Sequence, residues 1–243
     1  MRYAILSDIH SNAVALMAVL EDLERRGGAD ELWCLGDIVG YGPDPHRCIE
    51  LLRRLKCVCI SGNHDLGAIE EVSLASFNPD GAQAIRWTMR QLSAEDASFL
   101  SRLPPTLEKD GFTLVHGSPR QPAWEYIISL SSAQENFPCI QTPYCLVGHT
   151  HIPIAFKKEG ASVSAIPLSE SIGQVLGKTP LILNPGSVGQ PRDNDPRASY
   201  ATYDSGSGIF RLHRVVYDVK AVQERIFNAG LPMRLATRLE HGV

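Results

Sequence analysis

Six short apolar runs along the chain each stop abruptly at polar or glycine residues. Tyr3–Leu6 stops at Ser7-Asp8, and Leu32–Leu35 stops at Gly36-Asp37. Cys57–Ile60 stops at Ser61-Gly62-Asn63-His64, and Phe112–Val115 at His116-Gly117. Tyr144–Val147 stops at Gly148-His149, and Leu181–Leu183 at Asn184-Pro185-Gly186. Continuous apolar runs of this length predict strands buried on both faces. In α/β sheets, ligands gather just beyond the carboxyl ends of such strands, so the six endings are expected to converge on one site.

Helical segments separate the early runs. Asn12 caps a predicted helix with Leu16, Met17, Leu20 and Leu23 at helical spacing, closed by Gly27-Gly28. A second helix is predicted over Pro45–Arg54. Repeated strand–helix–strand order means α/β. Residues 144–166 and 199–216 predict strands with no long helix between them. Tyr200–Tyr203 and Ile209–Leu212 flank Ser205-Gly206-Ser207-Gly208 as a hairpin, which suggests a second, more antiparallel sheet. Residues 66–108 predict a mainly helical insertion carrying Ile85, Met89, Leu92, Phe99 and Leu103. It leaves from the third strand ending, so it either caps the site or is an ordinary packing element. Asp218 is an expected N-cap before Val222 and Ile226, with Gly230 as a stop, and a last short helix carries Leu235 and Leu239. With no repeat, low-complexity tract or linker, residues 1–243 are expected to form a single domain.

Composition narrows the class. The chain has 243 residues, a formal net charge of −4, 44% hydrophobic and 21% charged residues. These values exclude disordered, collagen-like and coiled-coil chains. The slight acidic excess argues against general nucleic-acid binding, but a small anionic partner responds to local charge in a cleft. No apolar run approaches the ~18 residues of a membrane span, and the N-terminus turns acidic at Asp8, too early for a signal peptide. The six cysteines lack C-x-x-C spacing and lie mostly in apolar runs, which predicts buried thiols in a reducing, cytoplasmic setting. Cys57 and Cys59 could supply two zinc ligands, but no second pair has suitable spacing to complete a site.

The polar residues on the strand endings change the picture. In order they supply Asp8-x-His10, Gly36-Asp37, Gly62-Asn63-His64-Asp65, His116, and Gly148-His149-Thr150-His151. Carboxylate, amide and imidazole donors together suit manganese, iron or zinc, with no thiolate needed. Two such ions repel at their usual spacing of about 3.5–4 Å, and a shared carboxylate offsets that repulsion. The pair leaves room for a bridging water whose pKa the cations lower, and it neutralises a phosphoryl group. A histidine near the metals but not bound to them then supplies the proton for the leaving oxygen.

This ordered set resembles the calcineurin-like metallophosphoesterase superfamily, and its motifs run from Asp8 to His151. Within it the chain looks most like the small prokaryotic phosphodiesterase-type branch, through Ser7-Asp8-Ile9-His10-Ser11-Asn12 and Asn184-Pro185-Gly186-Ser187-Val188-Gly189-Gln190-Pro191-Arg192. The resemblance implies an α/β fold, a four-layer αββα sandwich of two mixed β-sheets flanked by helices. It implies two divalent metal ions, manganese first, with iron, zinc or nickel as alternatives. Asp8, His10, Asp37 and His151 would bind one ion. Asp37, Asn63, His116 and His149 would bind the other, with Asp37 as the bridge. His64 would be the general acid. The implied substrate is a small phosphate ester or nucleotide.

One stretch departs from the protein-phosphatase branch, whose second motif reads G-D-x-V-D-R-G and whose aspartate orients the acid histidine. Here Gly40 and Tyr41 stand in the last aspartate and arginine places, leaving Asp65 as a candidate to orient His64. A dinucleoside polyphosphate hydrolase and a Ser/Thr protein phosphatase are alternatives on the same scaffold. A non-catalytic metal-binding scaffold, like the retromer subunit of this fold, is the alternative of another class. Asn12 is a helix cap or a phosphate contact. Arg192 is a phosphate or nucleotide ligand or a loop arginine paired with Asp193 and Asp195. His46, His213 and His241 read as surface or packing residues, Trp33 as core, and Trp124 as a cleft border or surface filler.

Overall fold

The computed structural model describes residues 1–243. In chain order the elements are β1 (Arg2–Leu6), α1 (Ala13–Arg25), β2 (Glu31–Cys34), α2 (Pro45–Arg54), β3 (Val58–Cys59) and α3 (Asn63–Ala68). Then come α4 (Pro79–Gln91), α5 (Ala94–Leu100), β4 (Thr106–Lys109), β5 (Phe112–Val115), α6 (Leu130–Asn136), β6 (Tyr144–Leu146), β7 (Ile154–Glu159) and β8 (Ser162–Pro167). The chain closes with β9 (Gln174–Val175), β10 (Leu181–Asn184), β11 (Ala198–Asp204), β12 (Ile209–Val215), α7 (Val219–Asn228) and α8 (Met233–Thr237).

Two mixed six-stranded sheets pack face to face, in the orders β3-β2-β1-β11-β12-β9 and β4-β5-β6-β10-β7-β8. Alternation within each buried strand assigns its side chains to layers. Tyr3, Ile5, Trp33, Leu35, Phe112, Leu114, Leu146, Leu181 and Leu183 fill the space between the sheets. Ala4, Leu6 and Cys34 face the opposite way, against Leu16, Val19 and Leu23 of α1 and Ile49 and Leu52 of α2. Val115, Cys145 and Ile182 face outward from the second sheet to Ala133 of α6 and to Phe137. The result is the expected αββα sandwich. Strands covered on both faces have no polar side to show, which is why they appear as unbroken apolar runs.

Two expectations need correction. The β11–β12 hairpin joins the first sheet, pairing antiparallel with β1 through Tyr3↔Tyr203 and Ala4↔Thr202. Neither sheet is the antiparallel one: β1, β2 and β3 run parallel in one, and β5, β6 and β10 in the other. Alternation marks a strand but does not say which free edge it will meet. The helical insertion ends before residue 108, because Thr106–Lys109 is a strand paired with Phe112–Val115. Asp110 and Gly111, at φ 49° and 83°, make the two-residue turn between them. The Asp-Gly dipeptide is a strong hairpin signal that was present in the sequence.

Local chemistry sets the helix starts. Asn12 Oδ1 accepts from Ala15 N at 3.0 Å, and Asp218 Oδ1 accepts from Ala221 N at 3.0 Å. In the inserted region Ile85 and Leu100 are buried, and Trp87, Met89, Leu92, Phe99 and Leu103 pack against the core that carries α2. Cys34, Cys48, Cys59 and Cys145 are buried, Cys57 is half-buried and Cys139 is exposed, all as free thiols. No helix is long and apolar enough to cross a membrane.

Trp33 is the largest fully buried side chain and joins the sheets through Tyr3 (centroids 4.4 Å apart) and Phe112 (5.6 Å). Trp33→Ala is expected to lower stability by about 3–5 kcal/mol. Urea titration is expected to show a lower midpoint at an unchanged slope.

Candidate metal centre

The loops after the parallel strands form a backbone mesh before any side chain is considered. Asp8 N donates to Gly36 O at 3.1 Å, His10 N to Asp37 O at 2.9 Å, and Gly189 N to Asp8 O at 3.0 Å. Such pairing is required, because buried loop amides without partners are costly. The mesh holds Asp8, His10, Asp37, His149 and His151 at φ of 53°, 48°, 51°, 64° and 61°. Left-handed conformations in non-glycine residues cost roughly 1–3 kcal/mol each and gather at functional sites. Five of the seven expected ligands are held in this way.

The side chains of those seven residues meet in two adjoining groups. In the first, His10 Nε2 and His151 Nε2 are 3.1 Å apart, and Asp8 Oδ1 is 3.2 Å from His151 Nε2. In the second, His116 Nε2 is 3.1 Å from His149 Nδ1, 3.2 Å from Asn63 Oδ1 and 3.3 Å from Asp37 Oδ2. Asp37 Oδ2 is also 3.5 Å from His10 Nε2, so this single oxygen lies between the groups. His64 also lies close enough to His10 and Asp37 to be counted among ligands on distance alone.

Each of the four imidazoles spends its outer nitrogen on a backbone carbonyl. His10 Nδ1 meets Val39 O at 3.3 Å, His116 Nδ1 meets Leu35 O at 2.8 Å, and His151 Nδ1 meets Gln190 O at 2.5 Å. His149 is reversed, with Nε2 against Trp124 O at 3.2 Å. A carbonyl accepts only, so these contacts put the proton on the outer nitrogen and leave a lone pair on the inner one. Facing lone pairs 3.1 Å apart cannot hydrogen-bond to one another. Two nitrogens bonded to one cation at about 2.0–2.1 Å, near a right angle, are separated by about 3 Å.

The charge balance asks for the same thing. Asp8 and Asp37 are 0% and 1% exposed, and only histidines lie within ion-pair distance of them. Burial alone would raise Asp37, but the His116, His64 and His10 rings overcome it and hold its carboxyl well below the usual range. Burial likewise opposes protonation of His116, yet with no cation bound Asp37 pulls it up to about 9, so a proton on its inner nitrogen then supplies the positive charge that a metal ion on that nitrogen would replace. Buried carboxylates need a paired cation, and this donor set fits divalent metal.

Around the centre, a cleft of about 130 Å³ is walled by Phe77 and Asn78, by Trp124 and Tyr126, and by Tyr41 and Arg192. Phe77 and Asn78 come from the segment between α3 and α4, so this part of the insertion borders the site. Tyr126 stacks on His149 with ring centroids 4.0 Å apart and planes at 8°. The pattern of motifs predicted neither Tyr126 nor Phe77, since both lie on irregular segments without periodicity. Trp124 borders the cleft, one of the two expectations for it.

His64 lines the cleft, but Asp65 does not orient it. The Asp65 carboxylate accepts from Val39 N and Gly62 N, both at 3.0 Å, and ties α3 to the second loop. His64 Nδ1 is buried without a partner. A Cβ at Gly40, where φ is +89°, would overlap that nitrogen, so no orienting side chain fits there. The ring is held instead by packing against Tyr41 (4.3 Å), His10 (4.8 Å) and Phe77 (5.1 Å).

Asn12 forms the helix cap, one of the two expectations for it: its Oδ1 caps α1, and its Nδ2 donates to Gly189 O at 3.0 Å. Arg192 is not paired with Asp193 or Asp195, which pair with Arg214 and Arg197. Its guanidinium donates to Gln190 Oε1 and lies 5.9 Å from the Tyr41 ring, on the cleft wall. His46 pairs with Asp96 at 2.9 Å and His213 with Thr202 at 2.8 Å, both outside the centre.

A family model described as a calcineurin-like phosphoesterase superfamily domain matches residues 1–208. The crystal structure of a metallophosphoesterase from Sphaerobacter thermophilus is 45% identical with a TM-score of 0.91, covering 100% of this chain and 99% of its own. An uncharacterised protein of Methanocaldococcus jannaschii is 40% identical over 241 residues, 97% of this chain and 96% of its own length. A symmetrical bis(5'-nucleosyl)-tetraphosphatase of Citrobacter koseri is 32% identical over 104 residues, 36% of this chain and 36% of its own.

Proposed function

The chain belongs to the calcineurin-like phosphoesterase superfamily, and on that premise we propose that it is a dinuclear, metal-dependent phosphodiesterase acting on a small phosphate ester or nucleotide. The observation that carries this reading is the pair of inner-nitrogen contacts at 3.1 Å, His10 with His151 and His116 with His149, on either side of Asp37. Asp8, His10, Asp37 and His151 would hold one ion, and Asp37, Asn63, His116 and His149 the other. Manganese is the favoured metal, with iron, zinc or nickel as alternatives. When bound, such a pair polarises the phosphoryl group and lowers the pKa of a nearby water.

The protein's own residues do the rest. Asp37 presents Oδ2 to both groups while Oδ1 accepts from His64 N at 2.9 Å, which fixes the carboxylate plane. The carbonyls of Val39, Leu35, Gln190 and Trp124 keep the ligand rings from turning. Arg192 presents its planar fork to the non-bridging oxygens of the substrate. The sealed Nδ1 of His64 leaves Nε2 as the nitrogen facing the cleft, where it passes a proton to the leaving oxygen. Burial pushes the His64 ring down to about 4. An anionic phosphate beside it acts in the opposite direction and favours the protonated ring. Phe77, Trp124 and Tyr126 narrow the cleft and limit competing water, with the inserted segment serving as a partial cap.

Hydrolysis between phosphates of a dinucleoside polyphosphate is the second reading, supported by the partial likeness to the tetraphosphatase. Protein-phosphatase activity is disfavoured by Gly40, which leaves no room for the orienting aspartate.

The test is turnover of an activated aryl phosphodiester and monoester by purified protein with Mn²⁺ and the other divalent ions. No turnover with any of them, in folded protein, overturns the proposal. Chelation is expected to reduce activity to background, and Mn²⁺ to restore it. Saturating metal at about 100 times Kd is expected to add about 2.7 kcal/mol of stability for each ion bound, read as a rise in Tm.

A further inference from the structure

Beside the metal cleft lies a second cavity of about 380 Å³ that the proposed reaction does not use. Both cavities are lined by Tyr41, Asn78, Tyr126 and Arg192, so they are neighbours across one shared wall. Beyond Arg192 the second cavity adds Arg234 and Arg238, with Asp80 as its one carboxylate. Arg234 belongs to α8 and Arg238 to the 3₁₀ turn after it. Both come from the segment beyond residues 1–208, the part that matches the family model.

These guanidiniums differ from the other arginines nearby. Arg197 pairs with Asp195, Arg214 with Asp193, and Arg225 with Asp44. None of Arg192, Arg234 and Arg238 has a side-chain carboxylate within ion-pair distance. Arg192 is steadied by Gln190 Oε1 and Tyr41, and Arg238 by donation from Nε to the Val243 backbone oxygen. Burial first, and then the Arg192 charge, pull the Arg238 guanidinium down to about 10. Three like charges facing one cavity with a single carboxylate leave an excess of positive charge, which an anion entering from the metal cleft would offset.

We infer that this cavity is a second anion subsite, in which Arg234 and Arg238, with Arg192 at the junction, take a phosphate group beyond the scissile one. The substrate class is then an ester with a polyphosphate chain, such as a nucleoside or dinucleoside polyphosphate, rather than a simple monoester. This inference rests on the phosphoesterase reading of the adjoining cleft. It assigns the class to a part of the chain outside the family match, where the shared metal motifs carry no information about substrate.

The test compares the full-length protein with the Arg234→Gln/Arg238→Gln and Arg234→Lys/Arg238→Lys double variants, with Mn²⁺ in excess over ligand. Calorimetric titration with inorganic tripolyphosphate is expected to show Kd weakened about ten-fold or more by the glutamine pair, against a much smaller change for orthophosphate. The lysine pair is expected to recover most of the loss. In turnover, the ratio of kcat/KM for diadenosine tetraphosphate to that for p-nitrophenyl phosphate is expected to fall about ten-fold in the glutamine pair. Unchanged tripolyphosphate affinity, or equal weakening of orthophosphate, overturns the subsite. So does an unchanged kcat/KM ratio. A protein that turns over no ester, yet shows the arginine-dependent tripolyphosphate binding, refutes the phosphoesterase reading and supports the subsite. Thermal melting of both double variants checks that they are folded.

Discussion

Asp37→Asn is expected to abolish turnover, by at least about 10³-fold or roughly 4 kcal/mol of barrier, and to leave the protein unable to hold two ions together. Asp37 is the one residue whose side-chain oxygen faces both ligand groups, at 3.5 Å from His10 Nε2 and 3.3 Å from His116 Nε2. An amide of the same shape removes the negative charge that would offset repulsion between two cations. It also cannot satisfy both of its contacts. If its oxygen stays on His64 N, its NH₂ takes the place between the ligand groups and offers a cation no lone pair; if it turns over, the NH₂ meets the His64 N–H and two donors face each other. The neighbouring Gly62 leaves no slack, because a Cβ there would overlap Asp37 Oδ1.

Elemental analysis of the dialysed variant is expected to give at most one ion per chain, where the unaltered protein gives two. Its Tm is expected to respond little to Mn²⁺. In metal-free protein the substitution removes the carboxylate that pairs with His116 and leaves that ring buried without its counter-charge, so apo stability is expected to fall. Two retained ions, or activity within ten-fold of the unaltered protein, would show that Asp37 is not the bridge.

His64→Ala has the second-largest expected effect and a different signature. A positioned proton donor contributes about 10²–10⁴-fold, so turnover is expected to fall by that amount while two ions remain bound. The loss is expected to be greater for an alkyl leaving group than for p-nitrophenolate, which departs without protonation. His64 lies within ligand distance of His10 and Asp37, so metal content decides between the two roles. Loss of an ion in His64→Ala makes it a ligand. Gly40→Ala supplies a second route to the same question, since the three atoms nearest its methyl would all belong to His64, and a thermal melt checks the strain of alanine at φ +89°. It is expected to lower kcat for poor leaving groups in the same direction, by less.

Parts of this centre were plain in the sequence for a physical reason. Metal ligands must be of a few residue types, and a parallel strand delivers them at its carboxyl end, so Asp8, Asp37, Asn63, His116 and His149 mark themselves by following apolar runs. The helices over 13–25 and 45–54 were equally visible, because capping and apolar spacing are local. The Asp110-Gly111 turn was there to be read, and it bounds the insertion at the start of β4. The pairing of β11 with β1 was not, because an exposed edge accepts any strand that reaches it.

The sequence by itself determined the ordered donor set and the α/β strands that carry it, since both are written in local residue type and periodicity, while the four αββα layers were implied only by the resemblance of its motifs to a known family. Only the tertiary structure decided which atoms face inward. The tautomers of His10, His116, His149 and His151 are set by carbonyls of Val39, Leu35, Trp124 and Gln190, up to 81 positions away in the chain. The release of Asp65 from His64, the commitment of Asn12 to Gly189 and the turning of Arg192 into the cleft were likewise settled by distant contacts. Those outcomes depend on which backbone groups meet across the sheets, and every residue supplies the same carbonyl whatever its side chain.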